Sequence, residues 1–348
     1  MCNNVLKCVI EMEKGMKHKL DILIPHYKEP FEVLKPMLDS LELQQSVNFD
    51  EFGVIIVNDG NDVVFDKSLF DKYSYSIEYY IAPHKGVSAT RNECLDHSKA
   101  DFVMFADCDD LFYTTTALWS IFREINTKPF DTFASAFVEE TVDSKTGEHL
   151  FIIRGDAESG IDGVFVHGKV HRRQFLIDKK IRWNEKLTIH EDSYFNTLCQ
   201  KLAGKNRFLY CPNPFYIWRW REDSVCRGDL LYLQKTYNAM LDSSTELVKE
   251  LLRRKKRKDA EFYAVSMIFN AYYTMNTEQW LKQENKEYRD KTEKRFKEYY
   301  LKFKYLYEGM DEQTKYFIVA GVRNRFFQEG LLLETQTFDQ WIAHILTL

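Results

Sequence analysis

A chain of 348 residues with 45% hydrophobic and 15% aromatic content has room for one large domain or two ordinary ones around a sizeable core. Its net charge of -5 makes no demand for a nucleic-acid partner, and 7 prolines with 14 glycines exclude long disordered linkers. The 7 cysteines are odd in number and contain no CxxC pair, which fits reduced thiols in a cytoplasm and excludes a disulfide framework or a zinc-ribbon pattern. The first residues do not read as a secretory signal, and no apolar stretch reaches membrane-spanning length. A soluble, cytoplasmic protein is expected.

Residues 1–18 read as a leader without a clear pattern. Leu20-Asp-Ile-Leu-Ile-Pro25 reads as a strand stopped by proline. Apolar positions at 31, 34, 37, 38 and 41 have the spacing of a helix facing a core. Gly53-Val-Ile-Ile-Val57 is a second buried strand ending in Asn58-Asp59-Gly60, and 76–81 is a third. A helix opens at Gly86 and runs to 98, a strand begins at Phe102, and a helix is centred on 115–125. Strands alternating with helices predict an α/β fold with a mostly parallel sheet, whose ligands bind outside the carboxyl ends of the strands.

Strands with a turn near Lys145-Thr-Gly147 are expected over 131–153, then a loop-rich section. A helix over Glu191–Leu202 and short strands at 208–211 and 215–220 follow. From 229 to 348 helical periodicity is unbroken and predicts a helical subdomain of four or five helices.

The chemistry collects at the strand ends. Phe102-Val-Met-Phe-Ala-Asp-Cys-Asp-Asp110 is an apolar strand breaking into three carboxylates. If it stays extended, Asp107 and Asp109 share a face, where they repel each other unless a hard divalent cation lies between them. A capped turn is the alternative for an isolated acidic triplet. Asp59, after a buried strand, can accept hydrogen bonds from a base or ribose, or simply serve an Asn-Asp-Gly turn. Arg91 stands near the crevice, where it can pair with phosphate or brace the aspartates, a surface ion pair being the alternative. His84, His167, His171 and His190 lie along the same region, where one could serve as a third metal ligand or bind phosphate; they show no metal-ligand spacing, and polar loop residues are the reading preferred.

Taken together, Ile24-Pro-His-Tyr27, Asn58-Asp59-Gly60, Gly86-Val-Ser-Ala-Thr-Arg-Asn92, Phe105-Ala-Asp-Cys-Asp-Asp110 and Glu191-Asp192 resemble family 2 glycosyltransferases of the GT-A fold. Order and spacing agree over roughly 20–222; the last third is outside the resemblance. The resemblance implies a GT-A nucleotide-binding domain over 19–228, then the helical subdomain. It implies an inverting transfer from a nucleotide-diphosphate sugar, expected to be UDP-linked. In the implied site, Asp107 and Asp109 hold Mn2+ or Mg2+, and Asp107 also touches ribose. Asp192 is the general base that takes a proton from the acceptor hydroxyl. Acidic residues also suit a helix N-terminus, so Glu191 or Asp192 is expected to be structural.

Donor contacts are implied at Pro25, Tyr27 and Glu29 after the first strand, and at Asp59, Lys85, Arg91, Asp107 and Cys108. Phe215-Tyr-Ile-Trp-Arg-Trp-Arg221 resembles the family's aromatic and basic segment, with Trp220 and Arg221 toward the donor. Core packing explains the tryptophans equally well. Two departures bear on the donor: Pro83-His84-Lys85 stands where many relatives have Asn and Gly, and His-Tyr-Lys-Glu follows Pro25 in place of the commoner Tyr-Asn.

The expected acceptor is a cell-surface glycan or polymer precursor, teichoic-type polymers included. Arg253-Arg-Lys-Lys-Arg-Lys258 suggests phosphate contacts or an anionic lipid surface at the inner membrane face, and a solvated helix end is the reading preferred. Transfer to modified nucleobases in DNA rests on that run alone. A non-catalytic nucleotide-sugar module is opposed by the intact aspartates. A sugar-nucleotide pyrophosphorylase would need a Gly-rich loop where Pro25-His-Tyr-Lys-Glu-Pro30 stands. An oligomer through the helical region is a further expectation.

Overall fold

The computed structural model describes residues 17–143, 145–155, 165–221, 230–282, 285–332 and 335–348, with the backbone alone for 230–235. The chain divides into two units, 1–223 and 224–348. All but the last two residues of the expected leader, and the expected boundary at 228/229, lie outside the described residues.

In the first unit, β1 (Leu20–His26), β2 (Phe52–Asn58), β3 (Ser76–Ile81) and β4 (Phe102–Phe105) run parallel in the spatial order β4-β1-β2-β3. Every position of β2 is buried, as expected for a parallel strand covered on both faces. One cover is α1 (Phe31–Glu42), which sends Leu34, Met37, Leu38 and Leu41 into a core shared with Ile22, Ile24, Val54 and Ile56. On β1 and β2 also packs α2 (Val87–His97).

The expected stop at Pro25 does not occur, because β1 continues to His26. Leu23 directs its carbonyl to β4, accepting from Ala106 N–H. Two residues on, the missing N–H of Pro25 faces the same side, where β4 has ended. No ladder bond is lost.

Within the section expected to be loop-rich, the structure has β9 (Lys169–Arg172) and α4 (Arg173–Asp178). The intervening elements are β5 (Leu111–Phe112), α3 (Ala117–Thr127), β6 (Thr132–Ser135), β7 (Phe137–Val142) and β8 (His149–Arg154). Strand β9 lies antiparallel between β4 and β6, and β10 (Phe208–Cys211) closes the edge beside β6. A smaller sheet has the order β5-β11-β7-β8, with β11 at Tyr216–Trp218. Helix α5 (Glu191–Leu202) runs as read from the sequence.

The second unit is helical, comprising α6 (Leu230–Arg253), α7 (Arg257–Met275), α8 (Glu278–Leu281), α9 (Lys286–Glu308), α10 (Glu312–Gln328) and α11 (Phe338–Thr347). Helix α7 is central and buries Ala260, Ala264, Ile268, Phe269 and Tyr272, with Phe338 stacked 4.6 Å from Phe269. No described helix is long and apolar enough to cross a membrane.

Candidate active site

The site is built where β1, β2 and β4 end. Beyond β2, Asp59 N–H donates to His26 O at 2.9 Å, so the ladder guides the chain one residue past the strand. The buried Asp59 carboxylate accepts Lys85 N–H at 2.8 Å and Gly86 N–H at 2.9 Å, and pairs with His84 Nδ1 at 2.9 Å. It thus caps the start of α2, where a negative charge is favoured. These contacts make Asp59 an anchor for the start of α2, and of roughly four acceptor positions on a carboxylate one is left over. Gly60, at φ +64°, admits no side chain, since a Cβ would lie 2.4 Å from His84 N. The Tyr27 ring stacks on His84 at 4.8 Å, and Tyr27 N–H donates to Glu29 Oε2 at 2.9 Å. Lys85 is exposed.

One face of α2 does the bracing. Ser88, Arg91 and Asn92 have the i, i+3, i+4 spacing and reach the segment before α5. Ser88 Oγ donates to Leu187 O at 3.2 Å. Asn92 donates to Trp183 O at 2.9 Å and accepts Trp183 N–H at 3.0 Å. Arg91 donates to Asp107 Oδ1 at 2.8 Å and to Glu191 Oε1 at 2.9 Å, with its guanidinium 4.5 Å over the Trp183 ring. Burial opposes the Arg91 charge, but Asp107 and Glu191 together hold its pKa above the usual arginine value. Of the two roles read for Arg91, the structure displays the brace. Ser88 and Asn92 belong to the run from Gly86 to Asn92, whereas nothing in the sequence marks Trp183 as a partner of that run.

The acidic segment does not stay extended. Strand β4 ends at Phe105, Asp110 N–H bonds back to Asp107 O at 3.3 Å, and the shared face expected for Asp107 and Asp109 is lost in this turn. Asp109 pairs with Arg221 at 2.9 Å. Asp107, Asp110 and His167 instead present ligand atoms within 4.8 Å of one another. Asp110 Oδ1 accepts Arg219 N–H at 2.9 Å, the buried Oδ2 lies 3.7 Å from His167 Nδ1, and the Tyr216 hydroxyl also acts on this carboxyl. Burial would raise Asp107, but Arg91 and then His167 hold it below the usual carboxylate range. Burial, then Asp109 and Asp107, push Asp110 well above that range; burial and Asp107 also raise Asp109 against Arg221. Two carboxylates beside an imidazole are an oxygen-and-nitrogen set that fits a divalent cation. Cys108 is buried, and burial raises its thiol pKa well above the ordinary value.

Glu191 and Asp192 open α5. Glu191 is the structural member, engaged with Arg91. Burial and then the Glu191 charge push Asp192 up to about 7, although Ser193 N–H, Arg91 and Lys169 pull the other way. A carboxylate poised near neutrality is suited to accept a proton.

The other expectations divide. His171 is a core residue, bonded to Thr132 Oγ1 at 3.1 Å. Beyond Trp218, β11 ends and alternation fails: Trp218 stacks on His167 at 5.3 Å, and Trp220 N–H donates to Glu140 at 3.0 Å with its ring edge-on to His149. In the basic run, Arg253 and Arg254 pair with Glu250 and Arg257 with Glu261, and the run forms the α6–α7 turn. A polar cleft beside α2 is lined by Asp59, Lys85, Thr90, Asn92, Asp96 and Arg182, and Asp107 to Asp110 are not part of its lining.

A mostly parallel sheet with flanking helices and acidic turns at its carboxyl edge is the GT-A architecture. The family model described as glycosyl transferase family 2 matches residues 21–195, half of the chain, and the chain belongs to that family. It is 24% identical over 249 residues to the glycosyltransferase GlyA of Streptococcus pneumoniae serotype 4, covering 66% of this chain and 34% of GlyA. An uncharacterized glycosyltransferase of Rickettsia bellii is 25% identical over 114 residues, 32% of this chain and 15% of that protein. The chain therefore spans about a third or less of these curated relatives. Among solved structures, S. aureus TarS 1-349 superposes with a TM-score of 0.60 at 16% identity, covering 81% of this chain and 80% of TarS 1-349. The same TarS fragment in complex with UDP-GlcNAc gives 0.60 at 17% identity over 81% and 80%. At such identity the likeness speaks to the fold, and at 81% of the chain it extends past the 223 residues of the first unit.

Proposed function

We propose that this glycosyltransferase moves a sugar from a UDP-linked donor to an acceptor hydroxyl with inversion at the anomeric carbon, Asp192 acting as general base. The observation that carries the reading is Arg91, bonded at once to Asp107 and Glu191 at 2.8 and 2.9 Å. A single guanidinium joining the two acidic motifs supports a reading in which both act on one donor.

In this reading Asp59 receives the nucleoside end of the donor at its remaining acceptor position, flanked by Pro25, Tyr27 and Glu29. Lys85 and Arg221 answer the diphosphate charge. Asp107 contacts ribose, with Cys108 and Trp220 completing the donor surface. Asp107, Asp110 and His167 would hold a divalent ion, Mn2+ or Mg2+, with Asp109 beside them; the chemistry supplied there is neutralisation of the diphosphate. Asp192 accepts the hydroxyl proton while the acceptor oxygen bonds to the anomeric carbon. The carbon–oxygen bond to the diphosphate breaks and its electron pair leaves with the diphosphate. TarS, solved with UDP and with UDP-GlcNAc, supports uridine as the base. A cell-surface glycan or polymer precursor is the acceptor proposed.

Calorimetric titration of UDP, GDP and TDP with and without manganese, repeated on Asp109→Ala, tests the donor site. Metal-dependent binding of UDP, weakened in the variant, is the expected result. Folded protein that binds none of the three sinks the reading.

A further inference from the structure

The packing of α5 on β9 singles out a charged group besides Asp192. Because β9 runs against β4, with Met104 opposite Val170, its first residue Lys169 stands at the edge where β4 ends. Lys169 is only 2% exposed. Strand alternation sets Lys169 and His171 on one face, and the His171 ring lies 5.5 Å from Phe195 of α5. On that helix Asp192, Phe195, Asn196 and Cys199 follow the i, i+3, i+4, i+7 stripe of a single face. Asn196 Nδ2 donates to Phe165 O at 2.9 Å, and the Lys169 ammonium donates to the same carbonyl. The ammonium is therefore delivered to the first turns of α5, where Asn196 stands one turn beyond Asp192. A buried ammonium is costly without a compensating anion.

We infer that Lys169 is a positioning residue for the transfer, its buried ammonium serving as the counter-charge of the Asp192 carboxylate. The inference rests on the reading of Asp192 as the base. Among the described residues, the charged groups acting on Asp192 are Glu191 beside it, Arg91 from α2 and Lys169 from β9, with His190 just ahead at the helix start. Arg91, which is shared with Asp107 and Glu191, and Lys169 together offset what burial and Glu191 do to Asp192. The same field, after burial, helps push the neighbouring His171 down to about 3.

The test follows aspartate carboxyl 13C resonances against pH in the native chain, Asp192→Asn, Lys169→Met and Lys169→Arg, beside pH profiles of transfer. The resonance missing from Asp192→Asn should titrate near 7 in the native chain. It should move up by about one pH unit or more in Lys169→Met and stay close to native in Lys169→Arg. The acid limb of transfer should move with it. An Asp192 titration unmoved by Lys169→Met overturns the inference. Should that variant not fold at neutral pH, Lys169→Met/Asp192→Asn decides: restored folding supports the pairing, and continued failure overturns it. A resonance that moves while the acid limb stays put retains the pair and instead removes Asp192 as the base.

Discussion

Arg91 and Glu191 stand 100 positions apart in sequence and 2.9 Å apart in space. Since Arg91 also holds Asp107, this contact fixes the start of α5 relative to the end of β4. Arg91→Met would leave two carboxylates facing each other without their shared cation. Breaking a buried pair in this way costs on the order of 3–5 kcal/mol. Urea unfolding should show a loss of that size, and transfer should vanish with it.

With Asp192 as the proposed base, its carboxyl sets the acid side of the rate profile. Only its ionised form accepts a proton, so transfer should rise as pH passes upward through about 7 and fall roughly tenfold per unit below it. Asp192→Asn should lower the rate by about 10²- to 10⁴-fold while UDP affinity stays unchanged. Transfer surviving that change would remove Asp192 from the mechanism.

The ligand set can be decided by manganese titration. Asp110→Asn and His167→Ala should each weaken manganese-dependent UDP binding by more than about tenfold, and EDTA should abolish the difference between these variants and the native chain. If Asp109→Asn weakens it more than either, the ion lies on the Asp109 side of the turn.

Gly60 and Gly147 make a controlled comparison, with φ of +64° and +73°. Both alanine variants suffer left-handed strain of about 1–2 kcal/mol. Only at Gly60 does the new Cβ meet backbone, 2.4 Å from His84 N and 2.8 Å from Ala82 O. Gly60→Ala should cost about 1–3 kcal/mol more in unfolding experiments and should weaken UDP binding, which Gly147→Ala leaves intact.

His171 predicts acid sensitivity. Burial, with Lys169 adding to it, lowers its pKa to about 3 from an ordinary 6.5. The unfolded chain therefore binds the proton more readily, so this contribution is complete above pH 6.5 and is lost as pH falls toward 3. The loss is on the order of a few kcal/mol. In His171→Gln the stability–pH slope in that window should flatten.

Much of the site was legible because it lies at the ends of strands with strong patterns. The apolar runs of β1, β2 and β4 announce burial, and a parallel sheet brings Asp59 and Asp107 to one edge. Contacts between distant segments left no such trace. Arg221 reaches Asp109 across 112 positions, and His167 joins Asp110 only because β9 inserts between β4 and β6. Nothing in the short run Lys169-Val-His-Arg172 identifies a central strand, since two of its buried positions are basic. Alternation failed at Asp109 and again at Trp220, each time because the chain had already left its strand and period two no longer applied.

The reversed direction and short length of β9 have a consequence for how the site is held. Its pairing with β4 and β6 is fixed by Lys169 to Arg172 alone, and the residues ahead of it enter from the carboxyl edge of the sheet. A slip of this short ladder by one residue would turn Lys169 and His171 to the opposite face and withdraw His167 from Asp110. The imidazole beside the acidic turn thus hangs on four residues of register, whereas Asp59 is placed by β2 alone.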